Sequence, residues 1–199
     1  MEIGRRWYMY TVEKTTRAGS VMMDLESCLM QGNRIVFLTG EINDQSAKDI
    51  CMALRYLDAT GRQDIRLEIN SPGGSVTSGM AIVDAMNMCR CDIATICTGM
   101  AASMAAFIAA QGARGKRWMT PNAVMMIHQP IGSAGGQASD IVVSARHIQE
   151  TKEKMNTMLA KATGKDIETI ARDTDRDYYL DAHEAVEYGL VDGIIDHFE

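Results

Sequence analysis

A serine, a histidine and a cluster of aspartates, lying in three separate stretches, are the residue types that could carry nucleophilic and acid–base chemistry. Ser103 stands in the run Gly99-Met100-Ala101-Ala102-Ser103-Met104-Ala105-Ala106, where a strand-like segment gives way to an alanine-rich helix. A serine in the first turn of such a helix meets unpaired amides and the positive helix end, which favour a developing anion. The small alanines leave room for a substrate backbone. A helix N-cap serine accounts for the same spacing equally well. His128 closes Met125-Met126-Ile127-His128-Gln129-Pro130, at the end of an apolar strand that a proline interrupts. There a neutral imidazole could take a serine proton and return it to a leaving amine. Residues 172–177 read Arg-Asp-Thr-Asp-Arg-Asp and offer Asp173, Asp175 and Asp177. Composition does not choose among them, and a solvated charged turn is the default. A fourth polar segment, Asn70-Ser71-Pro72-Gly73-Gly74, combines a fixed backbone angle with two unrestricted ones. Its amides could face a ligand oxygen, or it could simply turn a strand into a helix.

These segments need elements to hold them. Strand-length apolar runs at residues 34–38, 64–69, 92–97 and 123–127 alternate with helical patterns at 44–58, 78–88 and 102–111. That β-α-β-α order predicts an α/β fold with a mainly parallel sheet and right-handed crossovers. The polar segments then fall at the carboxyl ends of strands, where open parallel sheets place their sites. Residues 138–162 contain neither proline nor glycine, and Ile141, Ala145, Ile148, Met155 and Leu159 recur at helical spacing. The implied helix is about 37 Å long. Its stripe could pack within the domain or against the same helix of another subunit.

The 199-residue chain fits one domain, and its net charge of -6 argues against a nucleic-acid surface. No run is long and apolar enough for a bilayer span or a leader, which gives an expectation of no membrane partner and a cytoplasmic location. Five cysteines, two of them at Cys89 and Cys91, match neither a zinc nor a redox spacing and read as free thiols. No metal site is expected.

Taken in order, residues 69–74, 101–104, 124–130, 172–177 and 185–192 resemble the motifs of the Clp protease proteolytic subunit (ClpP) family. The resemblance runs from about Arg34 to Ile195. It implies Ser103 as nucleophile, His128 as base and Asp177 as the acid that orients it, with the amides of Gly74 and Met104 forming the oxyanion hole. The implied fold is a ClpP/crotonase-like spiral of β-α units with a protruding helix-strand handle at about residues 130–163. Residues 1–31 would form an N-terminal arm with an axial loop, and 32–199 a single peptidase domain. By the same resemblance the subunit assembles into two stacked heptameric rings, a tetradecamer. Asp175 and Arg176 would form the ring-to-ring ion pair. Substrates would be unfolded proteins and peptides, delivered by a Clp-family AAA+ ATPase that itself uses ATP, so that this subunit binds no cofactor.

Some residues depart from the family pattern. Met100 and Ala105 crowd the surroundings of Ser103 where the family has glutamine and glycine. Arg55, Arg66 and Glu68 replace apolar or aromatic residues of the ATPase docking pocket, although Ile96 and Trp118 keep part of its apolar character. Weak docking on a homomeric ring, and a mixed ring with a second ClpP paralogue, are the resulting expectations. Competing readings are an acyl-CoA hydratase of related fold, a serine–lysine signal-peptide peptidase, and a weakly active or structural subunit of a mixed ring. The hydratase would need paired carboxylates. The signal-peptide peptidase would need a lysine and a membrane anchor.

Overall fold

The computed structural model describes residues 10–16 and 19–197, so residues 1–9 and 17–18 of the expected arm lie outside the described residues. The chain begins with an antiparallel hairpin of β1 (Thr11–Thr16) and β2 (Gly19–Asp24), followed by α1 (Leu25–Asn33). Asp24 caps α1 by accepting from the Ser27 amide, and Arg34 ends it in a left-handed conformation.

Three β-α units follow: β3 (Ile35–Ile42) with α2 (Asp44–Thr60), β4 (Ile65–Gly74) with α3 (Val76–Met88), and β5 (Ile93–Ala102) with α4 (Met104–Ala110). Strands β3, β4 and β5 pair in parallel. Helix α2 starts at Asn43, whose side chain and that of Ser46 close a capping box. It buries Ala47, Ile50, Leu54 and Leu57, one stripe at helical spacing, and packs on β3. Ile65, Leu67 and Ile69 of β4 are wholly buried, as are Ile108 and Ala109 of α4, which lies across β4 and β5.

Residues 70–74 do not form the strand-to-helix turn expected of them. They continue β4: Ser71 pairs with Ala101 and Gly74 with Ile42, across register shifts in both ladders. The glycines supply the positive backbone angles that the shifted strand needs, φ 90° at Gly73 and 150° at Gly74. Ser75 then caps α3.

The far edge of β5 is shared by two strands. Its first half pairs with β6 (Arg117–Met119) and its second half with β7 (Val124–Ile127), both parallel. Beyond β7 come α5 (Ala138–Thr163), α6 (Ile167–Asp173), β8 (Tyr178–Leu180), α7 (Ala182–Tyr188) and β9 (Gly193–Ile194). Strand β8 is antiparallel to β7, and β9 closes the sheet beside β6. The short strands β6, β8 and β9 carry too few residues for an alternating pattern to reveal them.

Helix α5 is as long as its sequence predicts, about 39 Å at 1.5 Å per residue. Its stripe divides, however. Met155 and Leu159 are buried toward α4 and α6, whereas Ile141, Val142 and Val143 are exposed. The strand expected in the handle is not formed, because residues 130–137 have no regular structure in a single chain.

One buried ion pair locks the closing elements together. Arg117 and Asp192 meet through Nε at 2.9 Å and a second guanidinium nitrogen at 2.5 Å. The remaining terminal nitrogen of Arg117 donates to the carbonyls of Ala110, Ala162 and Gly189, the ends of α4, α5 and α7. Burial acts to raise Asp192, yet the Arg117 hydrogen bonds outweigh it and hold the carboxyl below its ordinary value.

Candidate active site

Strand register brings the three chemistry-bearing stretches together. Ala102 pairs with Met126 across β5 and β7, and the Ser103 amide donates to the Met126 carbonyl at 2.8 Å. Ile127 pairs with Tyr178 across β7 and β8. One step further along each strand, Ser103, His128 and Asp177 face one another. His128 Nε2 lies 2.7 Å from Ser103 Oγ, and His128 Nδ1 lies 3.3 Å from Asp177 Oδ1. The second contact is the longer one, and the Asp177 side chain is 57% exposed.

Ser103 occupies the N-cap position of α4 but does not cap it. Its φ of 56° and ψ of -124° are a conformation that non-glycine residues rarely adopt, and its side chain bonds to no helix amide. Such a conformation costs about 1–3 kcal/mol and persists only where the surroundings impose it. Here the strain turns the hydroxyl away from the helix and onto the imidazole. Of the two arrangements open to this serine, the side chain thus takes the one facing His128 and not the N-cap one.

Gly73 is the neighbour that permits this. A Cβ on Gly73 would stand 2.6 Å from the Ala102 carbonyl, 2.8 Å from Ser103 Cβ and 2.9 Å from the Met104 amide nitrogen. The glycine segment therefore lies directly against the start of α4, with the Met104 amide at its surface. Gly74 packs as closely on the other side, where a Cβ would collide with the Ile42 backbone. The Met104 side chain is fully buried against Gly79 of α3, which has no room for a methyl group there. Gly73 stands in a recognisable motif, whereas Gly79 stands in none. A glycine inside an otherwise regular apolar helix was the available signal.

The acid side hangs on a short loop. Asp173 accepts from the Tyr188 hydroxyl at 3.0 Å and from Arg172 at 3.0 Å, and the Tyr178 ring lies 5.9 Å from that of Tyr188. Burial, with Asp173 beside it, raises the Tyr188 hydroxyl well above the ordinary tyrosine range. Asp175 and Arg176 are both exposed and lie 3.8 Å apart within one chain. Met100, two residues before the end of β5, is exposed.

The remaining candidates lie elsewhere. Arg66 and Glu68 of β4 pair at 3.2 Å, and Arg66 lines a hollow of about 410 Å³ together with Asp64, Ile96, Trp118 and Ile195. Glu68 is buried, which raises its carboxyl, while Arg66 opposes the rise. Arg55 is exposed on α2, outside the residues that line that hollow. All five cysteines are free, and burial pushes the Cys97 thiol up to about 12, so it offers no competing nucleophile. Among the described residues no cluster of His, Cys, Asp and Glu could hold a metal ion, and no helix is long and apolar enough to cross a membrane.

A parallel α/β sheet carrying a hydroxyl, an imidazole and a carboxylate in hydrogen-bonding sequence has the equipment of a serine hydrolase. The chain matches the Clp protease family model over residues 17–198 and belongs to that family. Membership makes it a ClpP-type peptidase of the serine class, in a family whose members generally oligomerise and work with Clp ATPases.

Proposed function

We propose that this chain is a serine endopeptidase subunit in which Ser103 attacks the scissile carbonyl, His128 moves the proton and Asp177 orients the imidazole. The observation that carries the reading is the 2.7 Å contact from His128 Nε2 to Ser103 Oγ, with Nδ1 of the same ring turned toward Asp177. His128 accepts the hydroxyl proton as Oγ bonds to the carbonyl carbon, and the oxyanion forms at the amides of Gly74 and Met104. Each such donor contributes about 2.7–4 kcal/mol to the transition state. The protonated imidazole then gives its proton to the leaving amine. A water, deprotonated by the same ring, releases the acyl group from Ser103.

The substrate class follows from the family: unfolded proteins and peptides, cut inside a chamber of two heptameric rings in the cytoplasm. In this reading residues 1–31 form the arm and axial loop, 32–199 the peptidase domain and 130–163 the handle. The exposed Ile141, Val142 and Val143 of α5, and the irregular segment of residues 130–137, are surfaces that a second ring would cover. Asp175 and Arg176 are only loosely paired with each other within one chain, and Arg176 is exposed enough to reach a partner across that interface. The subunit itself needs no cofactor, and a Clp-family AAA+ ATPase spends the ATP.

Fluorophosphonate labelling tests the enzymatic reading. The wild-type chain is expected to label at Ser103 and Ser103→Ala to remain unlabelled. Absence of labelling, alone or with a paralogue, would instead favour a weakly active or structural subunit of a mixed ring. Docking is a separate expectation. Arg66, paired with the buried Glu68, places charge beside the Ile96 and Trp118 faces of the hollow, which Asp64, Asn33 and His197 also line, at a desolvation cost. Arg55, exposed on α2, lies outside the residues that line this hollow. Weak ATPase binding to the pure homomer is expected, with recovery in a mixed ring. Tight binding to the homomer by surface plasmon resonance would reject it.

A further inference from the structure

We propose that Gln129 is a positioning residue for the Ser103–His128–Asp177 constellation, and that Lys152 on the long helix α5 sets its orientation. The proposal rests on the reading of these three side chains as a catalytic triad.

Gln129 directly follows His128, and it holds the loop that carries Asp177. Its amide donates to the Thr174 carbonyl at 2.6 Å. Its side-chain Nε2 donates to the Asp175 carbonyl at 2.8 Å and to Asp175 Oδ1 at 3.2 Å. Four residues, Thr174–Asp177, span the gap between α6 and β8. Pairing of β8 with β7 fixes the far end of that span, and Gln129 fixes the near end. One side chain thus ties the base-bearing strand to the acid-bearing loop.

An amide can face either way, because its oxygen and nitrogen have nearly the same shape. Lys152 decides the matter: its Nζ donates to Gln129 Oε1 at 2.9 Å, which leaves the NH2 group to point at Asp175. Lys152 lies on α5, one turn before the stretch that buries Met155 and Leu159 and beyond the exposed Ile141 to Val143. A shift of the long helix would therefore reach Asp175, on the loop that carries Asp177, through two successive hydrogen bonds. The clamp matters because the contact it serves is the loose one, the 3.3 Å step from His128 to a carboxylate more than half exposed.

Steady-state hydrolysis of a short fluorogenic peptide, with native mass measurement of each variant, tests the clamp. Gln129→Ala is expected to assemble as the wild type does and to lose kcat by roughly 10²-fold, the scale of an ångström of misplacement. KM should change little, since no substrate contact is removed. Gln129→Glu keeps the contact with Lys152 but loses the donors to Asp175, and should be no better than alanine. Lys152→Met should show a smaller loss that disappears in the Gln129→Ala background, whereas Lys152→Arg should retain activity. If Gln129→Ala fails to assemble, the comparison of Lys152→Met with Lys152→Arg decides, with equal kcat in the two counting against the clamp. Wild-type kcat in an assembled Gln129→Ala variant, or additive losses in the double variant, would overturn the proposal while leaving the triad reading intact. A wild-type protein that neither labels at Ser103 nor cleaves peptide would overturn both.

Discussion

Asp177 and Asp192 are two carboxylates that each face a nitrogen-bearing side chain, and they are built for opposite purposes. Asp192 is largely buried and accepts from the Gly115 amide at 2.7 Å, the Arg117 amide at 3.0 Å and the Arg117 guanidinium at two points. Asp177 makes one contact at 3.3 Å and stays 57% exposed. A carboxylate that closes the fold must have its lone pairs satisfied, because an incompletely paired buried charge is costly. A carboxylate that steadies an imidazole through proton transfer must keep its charge available to the ring, and here that is done at the surface. In the proposed triad, the loop that carries Asp177 would be steadied from outside, by Gln129 at Asp175 and by the Tyr188 contact at Asp173.

If that contrast is right, substitutions at the two aspartates should separate activity from stability. Asp177→Asn is expected to have the largest effect, a fall in kcat of about 10⁴-fold as in other serine triads. Its melting temperature should stay close to that of the wild type. Peptide hydrolysis and differential scanning calorimetry on the same preparation would show it, and an equal loss in both would erase the distinction. Asp192→Asn should behave in the opposite way, losing about 3–5 kcal/mol because Arg117 is left as a buried charge. Its remaining folded fraction should still label at Ser103.

That stability difference also has a pH signature. The folded-state pKa of Asp192 lies below its ordinary value of 3.8, so the contribution is fully present above that value and lost as pH falls through the depressed one. Urea unfolding should therefore show the gap between wild type and Asp192→Asn closing only in strong acid. A gap that does not vary with pH would mean that packing, not charge, holds the region. Tyr188→Phe is the smallest change: about 1 kcal/mol for the lost hydrogen bond to Asp173, with a few-fold fall in kcat. A fall comparable to that of Asp177→Asn would make Tyr188 more than a support for the loop.

Much of the architecture could be read directly. The alternation of strand and helix patterns, the extent of α5 and the end-of-strand placement of Ser103 and His128 all follow from periodicity and breaker residues. Residues 70–74 misled because Pro and two glycines normally signal a turn, whereas here they bend a strand without ending its pairing. The stripe on α5 looked uniform, and only packing against α4 and α6 divides it into a buried and an exposed half. Lys152 gave no signal at all, since a lysine on a long helix is ordinarily a solvated charge.

The residue types and their order were enough to determine the α/β class, the family and the three stretches that could carry chemistry. Local periodicity and motif chemistry are properties of neighbouring residues, and a sequence displays them directly. Local pattern left Asp173, Asp175 and Asp177 equivalent, and Asp177 was singled out by family resemblance; in the tertiary structure the antiparallel register of β8 on β7 brings Asp177 to His128. It also decided that Ser103 bonds to an imidazole and not to its own helix. That choice goes with a strained Ser103 backbone for which Gly73, thirty residues away, leaves the space, a contact between distant segments that no local pattern encodes.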